Sequence, residues 1–219
     1  MYTVTQLSKK SDDGITRSRL RKWADVTAAL ILASLSGAAF AGQPSISTQA
    51  HPKTMAHDLS VRSHDIHWPS GFDPEKADLF AHNELLIRAS CEMVWGHIVD
   101  AERWPQWYPN SKDISLLGGA KALGPDVRWR WTTFGLSIES QVHEYELNSR
   151  LGWYGYPIGA KPAFYHTWLL QPRGDSCLVI MEEAGVGEGV AQFRAADEGR
   201  MHRGHDLWLA TLKWISEGP

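Results

Sequence analysis

The chain has 219 residues, 43% of them hydrophobic, and a net charge of -3. That is enough apolar surface for one ordinary folded core and argues against global disorder. A mildly acidic balance gives no electrostatic footprint for nucleic acid. Eleven Trp stand out: large, stiff and flat, they suit either an aromatic-lined cavity or a core they fill themselves.

In chain order, Arg17, Arg19, Arg21 and Lys22 precede a small and apolar run from Val26 to Leu35, and Ala39-Phe40-Ala41 closes it with small-x-small spacing. This is the layout of a cleavable export signal over 1–41, giving a periplasmic or secreted protein. Met55 is a competing start, which would leave the protein cytoplasmic. The run is shorter than the ~20 residues of a membrane span, so no integral membrane domain is expected after signal removal. Residues 42–60 read as a flexible leader. The folded domain is expected over 61–219. Its extension, 61–82, lies across the surface, held by Trp68 and Phe72 and bent at Trp68-Pro69-Ser70-Gly71 and Asp73-Pro74.

A first strand is expected over Glu84–Ser90. Ser90 then caps a short helix with Val94, Trp95, Ile98 and Val99 on one face, and a Trp104-Pro105-Gln106-Trp107-Tyr108-Pro109 segment follows. Further strands read from alternation at 113–117, 127–133, 136–147, 151–156, 163–171 and 176–184. Glycines at 185, 187 and 189 interrupt the chain, and Val190 to Ser216 reads as one long helix with Met201, Trp208 and Leu212 on its apolar stripe. Strands with one apolar face need a cover, and that helix is the candidate. The class is α+β: a curved antiparallel sheet of about six or seven strands around a long C-terminal helix, with two short helices after the first strand.

The Val94-Trp95…Asp100…Trp104-Pro105-Gln106-Trp107 stretch and the terminal Trp208-Leu209-Ala210-Thr211-Leu212-Lys213 carry a resemblance to the SRPBCC superfamily. These are START-like and polyketide-cyclase/dehydrase-like proteins of the helix-grip fold. The resemblance implies a cavity between sheet and helix for a small hydrophobic, aromatic or lipid-like molecule; with no phosphate loop or dinucleotide fingerprint in the sequence, no cofactor is expected. It also implies that the first strand lies antiparallel beside the last, making Cys91 and Cys177 neighbours. An exported protein could join them as a disulfide.

Alternation places Phe164, His166 and Trp168 on the cavity face of one strand, and the apolar Leu178 and Ile180 bring Glu182 to the same face of the next. A three-residue loop, Arg173-Gly174-Asp175, would set His166 opposite Glu182, within about 5 Å at Cβ. A carboxylate beside an imidazole is either an acid–base couple or a satisfied buried pair. The ligand-binding candidates are Trp95, Trp107, Trp129, Trp131, Trp153, Phe164, Trp168, Ile180, His205 and Trp208. Three functions follow: binding of a small hydrophobic molecule, a cyclase or dehydratase using His166 and Glu182, or an interaction module whose pocket its own side chains fill. The ten His show no metalloprotease spacing or Cys/His framework, so no metal is expected. His202-x-x-His205 with His166 and Glu182 is the one arrangement that could build such a site.

Overall fold

The computed structural model describes residues 54–161 and 163–218, all within one unit spanning 48–219. The expected export signal and the leader up to residue 53 lie outside the described residues. The sheet is antiparallel and contains β1 (Leu79–Ile87), β2 (Ser111–Leu116), β3 (Arg128–Thr133), β4 (Leu136–Glu146), β5 (Arg150–Pro157), β6 (Phe164–Arg173) and β7 (Ser176–Gly185). Their order is β1-β7-β6-β5-β4-β3-β2. Consecutive strands pair from β2 to β7, and the β1–β7 pairing brings the start of the domain against its end.

Helix α1 (Met55–Val61) precedes the sheet, and α2 (Cys91–Val99) and a 3-10 helix (Ala101–Gln106) follow β1. The Ser90 hydroxyl caps α2 by accepting from Met93 N–H at 3.2 Å, satisfying one of the free donors at the helix start. Cys91, the first residue of α2, is joined to Cys177 of β7 by a disulfide, with Cα atoms 5.0 Å apart.

The long terminal helix is in fact two. After α3 (Glu188–Ala196) the chain turns extended at Asp197, and α4 (Arg200–Glu217) starts beyond Gly199. Asp197 and Gly199 are weak helix formers, and the Asp197 carboxylate leaves the helical path to pair with Arg203. Met201, His205, Trp208, Leu209 and Leu212 form the buried stripe of α4, at the spacing of one helical face. Gly204 lets α4 approach the β3–β4 turn: a Cβ there would lie 2.3 Å from Phe134 Cζ.

The first strand begins at Leu79, five residues before the expected Glu84, because 79–83 pair with β7 residues 185–181. The preceding segment covers the other face of the sheet. Phe72 packs with Phe80, Tyr165 and Ala184, and Ile66 with Leu169 and Ile180. Strands β6 and β7 are therefore buried on both faces. The expected leader also changes character at its end: Met55–Val61 is helical, and Asp58 is buried and hydrogen-bonded to His202 Nε2 at 2.6 Å.

Candidate functional site

The β6–β7 hairpin decides which side chains meet. Arg173 pairs with Ser176, so the loop is two residues, Gly174-Asp175, with Gly174 at a left-handed φ of 60°. Glycine at the first position of a two-residue loop accepts that conformation without strain. The shorter loop shifts β7 by one residue, and a shift of one reverses the face of every side chain. His166 consequently lies opposite Glu183, not Glu182. Glu182 and Ile180 belong to the outer face. Glu182 accepts there from Ser63 N–H and His82 Nδ1, both at 2.7 Å. The apolar Leu178 and Ile180 misdirect the alternation argument because their apolar partner is the N-terminal extension.

On the inner face, Glu183 Oε2 is shared by two imidazoles: His166 Nδ1 at 2.9 Å and His205 Nε2 at 3.1 Å. The side chains of His166 and His205 are 4% and 1% exposed. Asn83 of β1 completes the group. Its Nδ2 donates to Asp206 Oδ1 at 2.7 Å and to the His202 carbonyl at 3.4 Å. Its Oδ1 therefore faces His205 Nδ1, at 3.2 Å, as an acceptor. Four elements, β1, β6, β7 and α4, thus converge on one polar cluster.

Burial pushes the His166 pKa down, partly opposed by its hydrogen bond to Glu183. Burial alone would raise Glu183, but its contacts with the His166 and His205 rings outweigh it and hold the carboxyl at about 2. The His166 ring also stacks on Trp153, with centroids 4.4 Å apart and planes 19° apart. A carboxylate held ionised between two buried imidazoles can orient a polar ligand group, move a proton or hold a cation.

These three residues help to line a cavity of about 50 Å³ whose apolar wall includes Trp131, Phe134, Trp153, Phe164, Phe193 and Trp208. That is room for about three to five waters. Phe134 at the β3–β4 turn and Phe193 on α3 meet edge to face at 5.9 Å.

Of the residues expected around a cavity, Trp131, Trp153, Phe164, His166, His205 and Trp208 line this one. Trp129 and Trp168 are instead fully buried core residues, and Trp95 packs edge-on against Tyr145 at 5.3 Å. Trp107 is half-buried beside a different cleft, with His97, Arg103 and Ile215. The reason is Trp104. Its ring lies within 6.4 Å of those of Trp129, Trp131, Trp153 and Trp208, and its Nε1 donates to the Ile98 carbonyl at 3.0 Å. Tyr108 stacks on Trp208 at 4.4 Å. The Trp-Pro-x-Trp segment therefore plugs one end of the space between sheet and helix, and the cavity lies at the other. Sequence reasoning missed Glu183, Asn83, Trp104, Phe134 and Phe193. Trp104 was the most accessible of these, since it sits within the motif that carried the resemblance.

An antiparallel sheet closed by a long C-terminal helix, with a polar cluster in the space between, defines a helix-grip protein of the SRPBCC superfamily. The family model described as "Polyketide cyclase / dehydrase and lipid transport" matches residues 82–205, more than half of the chain, and the protein belongs to that family. Among solved structures it is similar to the hypothetical protein jhp0584 from Helicobacter pylori. That match has 28% identity and a TM-score of 0.65, covering 71% of this chain and 98% of that one. It is also similar in fold to the di-domain ARO/CYC StfQ of the steffimycin biosynthetic pathway, at 14% identity and a TM-score of 0.50, covering 64% of this chain and 52% of that one. No curated protein matches the chain significantly.

Proposed function

We propose that this protein binds a small, mainly apolar molecule in the cavity beneath α3, with a polar atom of the ligand presented to His166, Glu183 and His205. One observation carries the reading. Among the described residues, His166 Nε2 and Trp208 Nε1 are buried without a hydrogen-bond partner, and both side chains line the cavity. Buried polar atoms are rarely left unpaired, so a ligand with a hydrogen-bonding group on an apolar body suits this lining. The closed volume admits only a few heavy atoms. A larger ligand requires α3 to lift about Gly185 and Gly187, the latter at a left-handed φ of 108°. Titration of apolar fluorophores and extracted lipids against intrinsic Trp fluorescence tests the reading. A saturable response, weakened by Trp208→Ala, is expected; no response from any class would sink it and favour a pocket held shut by its own side chains.

An enzymatic reading is favoured by the ionised carboxylate between two imidazoles, which suits proton transfer in a cyclase or dehydratase. There, His166→Ala would lower turnover far more than it weakens ligand binding. Export belongs to the proposal as well, supported by the 1–41 presequence and by a disulfide of the sort that persists in oxidising compartments. N-terminal sequencing of the mature protein checks it: a start at Gly42 agrees, and a start at Met55 does not.

A further inference from the structure

We propose that His166, Glu183 and His205 are the protein ligands of a divalent first-row transition metal, whose remaining coordination positions face the cavity and take a donor atom of the bound molecule. The inference rests on the binding reading above and deepens it. One donor atom from each of the three residues lies within 4.8 Å of the other two, the only such His/Cys/Asp/Glu group found among the described residues.

The donor set is two imidazole nitrogens and one carboxylate oxygen, which suits zinc, iron, cobalt or manganese rather than calcium or magnesium. Ligands about 2.1 Å from a metal stand roughly 3.0–3.4 Å apart around a tetrahedral or octahedral centre. The Glu183 oxygen lies 2.9 Å from His166 Nδ1 and 3.1 Å from His205 Nε2. The two imidazole nitrogens lie within 4.8 Å of one another, and side-chain rotations that bring them to that spacing would seat an ion.

Hydrogen-bond roles give an independent argument. Asn83 Nδ2 is committed to Asp206 and the His202 carbonyl, so Asn83 Oδ1 requires a proton on His205 Nδ1. In the neutral ring that leaves a bare lone pair on Nε2, aimed at a carboxylate oxygen. Two acceptors face each other unless a second proton or a cation lies between them. A metal ion removes the conflict. The same Asn83 contact is the outer-shell bond that metal-bound histidines usually make, fixing tautomer and ring orientation. The other buried His–carboxylate pairs differ. His202 bonds Asp58, and His82 bonds Glu182 on the outer face.

The test uses the full chain, stripped with a chelator and titrated with Co²⁺, then with Zn²⁺ as competitor. One Co²⁺ per chain with visible d–d bands, displaced by Zn²⁺, is expected. Glu183→Gln should weaken binding by more than the roughly 100-fold that loss of an outer-shell partner causes at most, and Asn83→Ala by about 10–100-fold. Asn83 is a positioning residue, so its variant should keep the Co²⁺ spectrum at saturating metal. Should either variant misfold by circular dichroism, Mn²⁺ broadening of amide signals in the wild-type protein decides. Broadening centred on 166, 183 and 205 supports the site, whereas broadening centred on His64 and His67 overturns it. Absence of binding, or binding unchanged by Glu183→Gln, overturns it also. Fluorophore titration of the stripped protein separates the two readings. Saturable probe binding without metal binding removes only the metal; metal binding without probe binding removes only the apolar ligand.

Discussion

Reducing the Cys91–Cys177 bond should cost this protein about 2–4 kcal/mol of stability. The bond ties the first residue of α2 to β7 across a sequence separation of 86 residues, a loop that contains β2 to β6. In the chain-entropy description, closing a loop of that length removes about 15 cal/mol/K from the unfolded ensemble, or about 4.6 kcal/mol at 25 °C. Native disulfides commonly deliver about 2–4 kcal/mol, so that value is an upper figure. For a domain of this size a loss of about 4 kcal/mol corresponds to a melting temperature lower by roughly 8–16 °C. Oxidised and reduced wild-type protein should be compared by urea denaturation, with thiols counted to confirm the redox state. This comparison keeps every heavy atom in place, whereas Cys→Ala substitutions also remove buried sulfur at 7% and 0% exposure. The double variant C91A/C177A should lie at or below the reduced protein. A difference under about 1 kcal/mol between oxidised and reduced forms, well below the usual range, would refute the reasoning.

Three further outcomes are expected. Gly204→Ala would drive a Cβ to within 2.3 Å of Phe134 Cζ, costing about 1–3 kcal/mol by overpacking. Thermal melts should show that loss, and Phe134→Ala should relieve it. Glu182→Ala leaves Ser63 N–H and His82 without their acceptor and should cost about 1–3 kcal/mol. Fluorophore binding should survive Glu182→Ala but not Glu183→Ala; equal effects would contradict the observed register. Glu139, buried against Arg130 and Arg128, has its pKa lowered because those hydrogen bonds outweigh the upward push of burial. A depressed carboxylate contributes stability above its unfolded value of 4.5 and loses it as pH falls through the folded value. The gap between wild type and Glu139→Gln, about 1 kcal/mol given the half-exposed arginines, should hold from pH 7 to 5 and close in stronger acid. A gap that widens in acid would contradict that sign.

The fold was readable because its signals are local. Ser90 announces a helix start, and Trp129 and Trp131 alternate with Arg128 and Arg130 as a strand with one wet face must. The candidate site was readable only in part. His166 follows from strand alternation and His205 only for one phase of the helix, and the acid between them lies one residue beyond the expected Glu182. In β7 both faces are apolar, so alternation has no polar side to mark direction, and loop length alone then sets the register. Asn83 lay outside the expected first strand, because the five residues before Glu84 pair with β7 through backbone groups that carry no side-chain signature.

The amino-acid sequence by itself determined the class of this protein: an antiparallel sheet of about six or seven strands, a short helix after the first strand and a long helical cover at the end. Tertiary structure decided how that interior is used. Trp104 fills one end, the N-terminal extension buries the back of β6 and β7, and Glu183 rather than Glu182 joins His166 and His205. Periodicity reports which face a side chain takes relative to its own neighbours. Which other chain segment occupies the space it faces depends on contacts between residues far apart in sequence, and no local pattern records them.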